Sequence, residues 1–473
     1  MTVPLAKADT RVDAIAPDGV WGPARRRLTT GLVLTITLVA FEALAIATVM
    51  PVVSDDLGGL GLYGWVFSGF FLGNLLGIVM AGEAADRLGT RAPFVAGLAL
   101  FSLGLIIGGS AQSMPMLVAG RVAQGIGAGV IPAVAYASVG RGYPPHLRPR
   151  VFAVFSSAWV VPGLIGPAAA SAIERWSSWR VVFLALLPLV AVAAAMTVPA
   201  LSARAPSHAP ESTVGGSGRE RRRDAVVLVA GVALVLVGLG AHQIAVAIAL
   251  IVVGALPAAW AFVGLVPTGT VGLRRGIAAA VGVRGILTFA FFGTDAYVSL
   301  AMTDARDQPT WVAGIALTGA TLAWTAGAWI QQRLVGERGP GWLVRRGFAL
   351  LAVGIAGLLL ALDSSMPVAI GIASWTVAGL GMGLSYAPIS VTVLGTAAPG
   401  QEGSASASLQ LTDVLGVSLG TGLGGVFVAL GDGRDWATSS SLTLAFIVTL
   451  AVAAGGVLAA RRLPRELPAG TAT

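Results

Sequence analysis

Of 473 residues, 56% are apolar and only 11% are charged, against about a quarter charged in an ordinary soluble domain, which excludes a water-soluble globular fold. The formal net charge of +8 does not indicate a nucleic-acid partner, because the basic residues are scattered between hydrophobic runs and form no single face. The absence of cysteine excludes disulfide frameworks, thiolate metal sites and cysteine nucleophiles, and His146, His208 and His242 fall in short polar stretches unsuited to a buried metal site.

Residues 1–28 are polar and end in Arg25, Arg26 and Arg27, ahead of an apolar stretch too long for a signal-peptide core. They read as a cytoplasmic tail before a retained first helix. A spanning helix needs about 20 mostly apolar residues, and such runs are predicted at 29–52, 62–82, 93–111, 115–139, 151–173, 181–201, 225–241, 243–265, 276–302, 310–332, 347–362, 367–395, 404–430 and 438–460. The count is fourteen. The stretch 225–265 reads either as two short helices turning at Gly240 to Gln243 or as one long bent element. Residues 202–224, rich in Ser, Gly, Pro and Arg, have the composition of a flexible cytoplasmic linker. The division is therefore a six-helix bundle over 29–201, the linker, two inserted helices over 225–266, a second six-helix bundle over 276–460, and a cytoplasmic tail over 461–473.

Charge placement tests the helix count, since one helix more or fewer would flip every later loop. With the N-terminus inside, the inner segments hold 24 Lys and Arg residues and the outer loops only Arg175, Arg180, Arg306 and Arg434. Both ends are therefore expected in the cytoplasm. Arg121 and Arg284 are left over, in or near the membrane.

An arginine deep in a spanning helix is costly unless it meets a carboxylate or water. Helix 4 carries Arg121 in the run Arg121-Val122-Ala123-Gln124-Gly125-Ile126-Gly127, and helix 1 offers Glu42 near mid-membrane, nine residues before Pro51. The turn after helix 2 reads Gly82-Glu83-Ala84-Ala85-Asp86-Arg87-Leu88-Gly89-Thr90-Arg91, which places a carboxylate and two guanidiniums where helix ends exchange charge-assisted hydrogen bonds. Helix 5 contains Pro162, Gly163, Gly166 and Pro167, a combination expected to bend it. Gly69, Gly73 and Gly77 in helix 2 and Gly416, Gly420 and Gly424 in helix 13 recur every four residues and so expose backbone along one face. Asp295, in the outer half of helix 9 among Phe289, Phe291, Phe292 and Tyr297, suits a cationic or aromatic substrate. Asp413 in helix 13 lies nearer the cytoplasm, within expected reach of the charged turn after helix 2.

The turn after helix 2 resembles the Gly-x-Leu-Ala-Asp-Arg-x-Gly-Arg-Lys signature of the major facilitator superfamily, with Gly82, Asp86, Arg87, Gly89 and Arg91 in place and Ala84 and Thr90 departing from it. The helix 4 run is similar to that superfamily's Arg-x-x-Gln-Gly-x-Gly motif. Glu42 stands where its fourteen-helix drug:proton antiporters place an acid, usually aspartate. Helix 5 resembles the antiporter motif Gly-x-x-x-Gly-Pro-x-x-x-Gly, with Pro162 at its first glycine.

This resemblance implies an all-α integral membrane protein of the major facilitator fold, two six-helix bundles plus two extra transmembrane helices. It also implies a proton-coupled secondary active transporter, most readily an efflux antiporter for amphipathic or cationic small molecules, working by alternating access as a monomer in the cytoplasmic membrane. Glu42 and Arg121 would couple protons. Asp295, Tyr297, Phe292 and Gln124 would bind substrate, and Gly82, Asp86, Arg87, Gly89, Arg91 and Asp413 would form a conformational switch. Both glycine ladders would meet across the interface between the halves, with Gly163, Gly166 and Pro167 shaping helix 5. Uptake, or lipid or metabolite transport, on the same fold is the alternative, and a non-transporting sensor or scaffold the second. No nucleophile–base pair or metal constellation can be assembled, so neither an enzyme nor a cofactor is expected.

Overall fold

The computed structural model describes residues 19–464 apart from 24, 144–146, 148–149, 152–153, 156–157, 159, 202–217, 242 and 398–401. The N-terminal tail, the linker, the C-terminal tail and the three histidines therefore fall wholly or largely outside the described residues. So do the side chains of Gly82, Glu83 and Asp86.

All the regular elements described are helical. The six helices of the N-terminal half are α1 (Arg26–Leu57), α2 (Tyr63–Leu88), α3 (Arg91–Gly109), α4 (Met114–Gly142), α5 (Val160–Trp176) and α6, which is α-helical over Trp179–Leu184 and Leu186–Thr197. A hairpin follows, α7 (Gly218–Leu239) and α8 (Ile244–Leu265). The C-terminal half holds α9 (Ile277–Thr303), α10 (Thr310–Arg338), α11 (Pro340–Ala361), α12 (Val368–Thr396), α13 (Glu402–Asp432) and α14 (Thr438–Ala459). Twelve helices among the described residues are long and apolar enough to cross a membrane. The remaining two are α5, described over 17 residues, and α7, whose first turns carry the run Arg221-Arg222-Arg223-Asp224. The fourteen-helix reading agrees with this count.

The stretch 225–265 is two helices, crossing where a methyl added to Gly231 would lie 2.5 Å from the Gly254 carbonyl oxygen. One face of α7 is buried through Ala225, Leu228, Val232 and Leu236, with Leu236 seated over Gly422 of α13. The outer face of α8 leaves Ile248, Val253, Leu256 and Trp260 exposed, as a lipid-facing helix requires.

The glycine ladders do not meet across the interface between the halves. Gly69, Gly73 and Gly77 face Val122, Gly125, Ile126 and Val130 of α4 inside the N-terminal half, and Gly416, Gly420 and Gly424 face Gly285, Phe289, Gly293 and Tyr297 of α9 inside the C-terminal half. Four of these approaches, at Gly73, Gly77, Gly416 and Gly420, are to partner backbone: a methyl on Gly73 would lie 2.5 Å from the Val122 oxygen and 3.1 Å from the Ile126 nitrogen. Four-residue spacing marks one helix face, and that face serves packing within each half. The α2–α13 contact uses another face. Gly64 lies five residues before Gly69, hence about 140° away around the helix, and it meets Gly425 backbone to backbone. The Ser418 hydroxyl points to the Ser68 carbonyl at 3.4 Å. The second contact between halves is α5 on α10, where Gly163 abuts Thr321 and Pro167 adjoins Gly314. Pro167 lacks the N–H that would bond the Gly163 carbonyl, while Gly166 faces Phe41 and Leu44 of α1 at ordinary contact distance.

These placements separate stability from movement. Gly73→Leu and Gly420→Leu are expected to lower the melting temperature of the purified protein, since overpacking costs about 1–3 kcal/mol or more. Gly64→Val, whose clash is with the opposite half and is relieved when the halves part, is expected to lower melting less than Gly73→Leu while slowing transport. Wild-type melting of Gly73→Leu together with a melting loss in Gly64→Val would reverse the assignment.

Candidate functional site

Arg121 and Glu42 are both buried, at 2% and 0% side-chain exposure, and form a direct ion pair through Nη1 and Oε1. The first and fourth helices of the N-terminal half bring them together. The guanidinium is held from three more directions. Nη1 donates to Gln124 Oε1 at 2.8 Å, Nε donates to the Val66 carbonyl at 3.1 Å, and the ring of Phe70 lies 4.1 Å from the guanidinium carbon. Gln124 is thus a partner of the arginine, placed there by i, i+3 spacing on α4. Glu42 Oε2 and Gln124 Nε2, an acceptor and a donor, are buried and complete no hydrogen bond among the described residues. Buried polar atoms left unpaired are costly, and here both sit within one charged cluster.

In the C-terminal half Asp295 accepts a hydrogen bond from the indole Nε1 of Trp375 at 2.9 Å. Around it runs an aromatic wall. Phe291 stacks on Trp375 at 5.0 Å, Trp324 meets Phe291 at 5.5 Å and Phe292 at 6.2 Å, and Tyr386 lies 5.4 Å beyond Trp324. Asp295, Phe292, Trp324 and Tyr386 are half-buried, whereas Phe291 and Trp375 are fully buried behind them. Tyr297 does not belong to this group. Two residues on from Asp295, it points to another face of α9, where its hydroxyl donates to the Thr421 carbonyl and its ring lies 5.5 Å from Tyr63. It packs α9 against α2 and α13, apart from the aromatic wall.

Asp413 pairs within its own half, not with the turn after α2. Arg284 Nε donates to Asp413 Oδ1 at 2.7 Å, and the Tyr386 hydroxyl donates to Oδ2 at 2.9 Å. Arg284 Nη1 donates to the Tyr386 carbonyl at 2.7 Å and to Ser390 Oγ at 3.2 Å, and its guanidinium carbon lies 3.0 Å from the Tyr386 ring centroid. The physical reason is proximity on adjoining helices: α9, α12 and α13 converge on Asp413, and an arginine already buried in α9 needs this carboxylate. In the sequence Arg284 stood without a role, and Trp375, Trp324, Tyr386 and Ser390 were not singled out. A signal existed for two of them. Arg284 obeys the same intramembrane-arginine rule as Arg121, and Trp375 is the eighth residue of a 29-residue helix, as Arg121 is in α4.

The turn after α2 is tight. α2 ends at Leu88, Gly89 takes a positive φ of 76°, and α3 begins at Arg91. Only glycine enters that backbone region without strain. Arg87 and Arg91 are exposed there. After α10 the same geometry recurs at Gly339, with φ 72°, before Pro340 opens α11.

Residues 32–331 match the family model described as Major Facilitator Superfamily. A protein named as a probable multidrug-efflux transporter of Mycobacterium tuberculosis is 28% identical over 463 residues, which cover 93% of this chain and 97% of that protein. A multidrug efflux pump of Staphylococcus aureus is 22% identical over 409 residues, covering 85% and 89%. Among solved structures, a D-xylose-proton symporter superposes with a TM-score of 0.66 at 15% identity over 93% of this chain and 98% of its own. An auto-inhibited POT family peptide transporter gives 0.68 at 16% identity over 94% and 99%.

Proposed function

Because the chain belongs to the major facilitator superfamily and is a multi-pass membrane transporter of small molecules, we propose that it is a proton-coupled efflux antiporter for amphipathic or cationic compounds. The observation that carries this reading is the buried Glu42–Arg121–Gln124 cluster, with one carboxylate oxygen in an ion pair and the other unpartnered. A proton arriving on Oε2 neutralises the carboxylate and weakens its hold on Arg121. The guanidinium keeps Gln124, the Val66 carbonyl and Phe70 as alternative partners, so the cluster has two arrangements within reach. Intramembrane ion pairs stabilise poorly relative to apolar packing, which favours a role in function.

Substrate lies between the halves against the wall of Phe292, Trp324 and Tyr386, with Asp295 attracting positive charge. Alternating access rocks one half against the other over the Gly64–Gly425 and Gly163–Thr321 contacts. With both termini in the cytoplasm, the Gly64–Gly425 contact lies in the outer half of the membrane, and this conformation is the one closed to the outside. The turn holding Gly82, Asp86, Arg87, Gly89 and Arg91 serves as the conformational switch, and Asp413 acts separately within the Arg284 cluster of the other half. Efflux has support in the names of the bacterial relatives.

Reconstituted vesicles loaded with a pH-sensitive dye test the proposal. Addition of an amphipathic cation such as ethidium to vesicles holding a proton gradient is expected to dissipate that gradient, and an imposed gradient to drive ethidium against its own. Ethidium movement indifferent to the gradient would refute proton coupling.

A further inference from the structure

Each half pairs an acid on its first helix with a donor on its fourth. In the N-terminal half these are Glu42 of α1 and Arg121 of α4, and in the C-terminal half Asp295 of α9 and Trp375 of α12. The donors occupy the same register, the eighth residue of 29-residue helices. Their chemistry differs in one respect that matters: a guanidinium cancels the charge of its carboxylate, whereas an indole N–H orients a carboxylate and leaves its charge uncompensated.

Among the described residues no cation forms an ion pair with Asp295. Among the described residues, the ionisable side chains on the elements packed against α9 are committed elsewhere or distant along the helix. On α1, Glu42 holds Arg121, and Asp56 holds Arg180 at the helix end; Asp55 and the first-turn Arg26 and Arg27 also lie at the ends of α1. On α12 and α13, Tyr386 and Asp413 are bound into the Arg284 cluster, with Glu402 and Asp432 at the ends of α13. On α10 and α11 the charged residues, Arg333, Glu337, Arg338, Arg345 and Arg346, gather around the turn joining the two helices; α14 carries none, and Arg461 and Arg462 lie in the single turn beyond its C-terminal end. Within α9 itself, Arg284 lies 11 residues before Asp295, about 16 Å along the axis at 1.5 Å per residue.

A lone carboxylate in a membrane-spanning segment needs a positive partner. Beside it stand Phe292 and Trp324, half-buried aromatic faces that attract organic cations. The wall they belong to ends at Tyr386, whose ring lies 5.4 Å from that of Trp324. We infer that Asp295 is an exchange site at which a proton and a lipophilic monocation compete, with Trp375 as the residue that positions its carboxylate. Binding of the cation to the protonated form breaks the O–H bond of Asp295 and releases one proton to solvent, leaving a carboxylate–cation pair.

This inference rests on the transporter reading and is independent of Glu42 as coupling acid. Its consequence is electrical. Exchange of one proton for one monovalent cation moves no net charge, whereas one proton at each of Glu42 and Asp295 against one cation moves a single positive charge inward.

The test is an equilibrium measurement on the purified full-length carrier, with no gradient imposed, so failure of gradient-driven transport cannot be mistaken for failure here. Tetraphenylphosphonium is titrated into weakly buffered protein between pH 5 and 9 while bound cation and released protons are counted. The wild type and Glu42→Gln are both expected to release protons on binding, with up to one per cation in Glu42→Gln. Asp295→Asn is expected to bind at least tenfold more weakly and to release none. Trp375→Phe keeps the ring against Phe291 but deletes the N–H. Loss of a donor to the charged form favours protonation, so its cation binding should have a midpoint shifted upward by about one pH unit. Proton release persisting in Asp295→Asn, or absent from Glu42→Gln, would overturn the exchange site. An unmoved midpoint in Trp375→Phe would remove Trp375 from it.

Discussion

A carrier with Glu42→Gln is expected to bind substrate and yet to lose the response of neutral-compound transport to an imposed pH difference, monocations retaining only the electroneutral exchange at Asp295. Glutamine reproduces the shape of the protonated acid, and its amide oxygen can still accept from Arg121, so the buried cluster keeps its packing. What it cannot do is give up a proton. In the wild type one inward proton gains about 2.3 kcal/mol from 100 mV. At about 1.4 kcal/mol per tenfold ratio, that supports roughly a 40-fold gradient of a neutral compound, and the variant should support none. Substrate exchange without a gradient should survive, because it requires only that the halves rock. Vesicle transport under separately imposed pH and voltage gradients reads both outcomes. Full response of neutral-compound transport by Glu42→Gln to a pH difference would remove Glu42 from the coupling step.

The Glu42–Arg121 contact was legible in the sequence because the physics of a buried charge is nearly local: an arginine in a spanning helix demands a carboxylate, and only a few carboxylates lie at membrane depth. The same rule applied to Arg284 would have found Asp413, but Asp413 also sits near the cytoplasmic end, where the charged turn after α2 offered a competing partner. Sequence distance could not choose between them. Tyr297 was drawn toward Asp295 by nearness along the chain, although two residues on a helix point to different sides. The glycine ladders showed which face of α2 and α13 approaches another backbone and could not say whose backbone it was. Gly64 and Gly425, which do meet across the halves, belong to no ladder and carried no spacing signal. Trp375 left even less trace, since a tryptophan in an apolar helix reads as packing until its indole N–H is seen against a carboxylate. Helix number, by contrast, follows from hydropathy and from the arginine count alone, and there the sequence needed no tertiary information.

Asp413→Ala is expected to be among the most destabilising single changes in the C-terminal half. Arg284 is 4% exposed and Asp413 21%, and the substitution would leave a buried guanidinium facing only the Tyr386 carbonyl, Ser390 and the Tyr386 ring. Breaking a buried pair from one side costs about 3–5 kcal/mol, with the lower end fitting the partial exposure of Asp413. The Tyr386 hydroxyl would lose its acceptor as well. Removing both charges together is a different experiment. In Arg284→Met/Asp413→Leu no ion remains to be desolvated, and apolar replacement of buried pairs is often neutral or stabilising. The double variant should therefore melt near the wild-type temperature where Asp413→Ala does not. Its transport, however, should stay impaired, because α9, α12 and α13 would keep their packing but lose a charge cluster that can rearrange. Thermal melting of detergent-purified protein, read beside ethidium transport in vesicles, separates the two roles. Normal transport by a stable double variant would confine Arg284 and Asp413 to holding the three helices together.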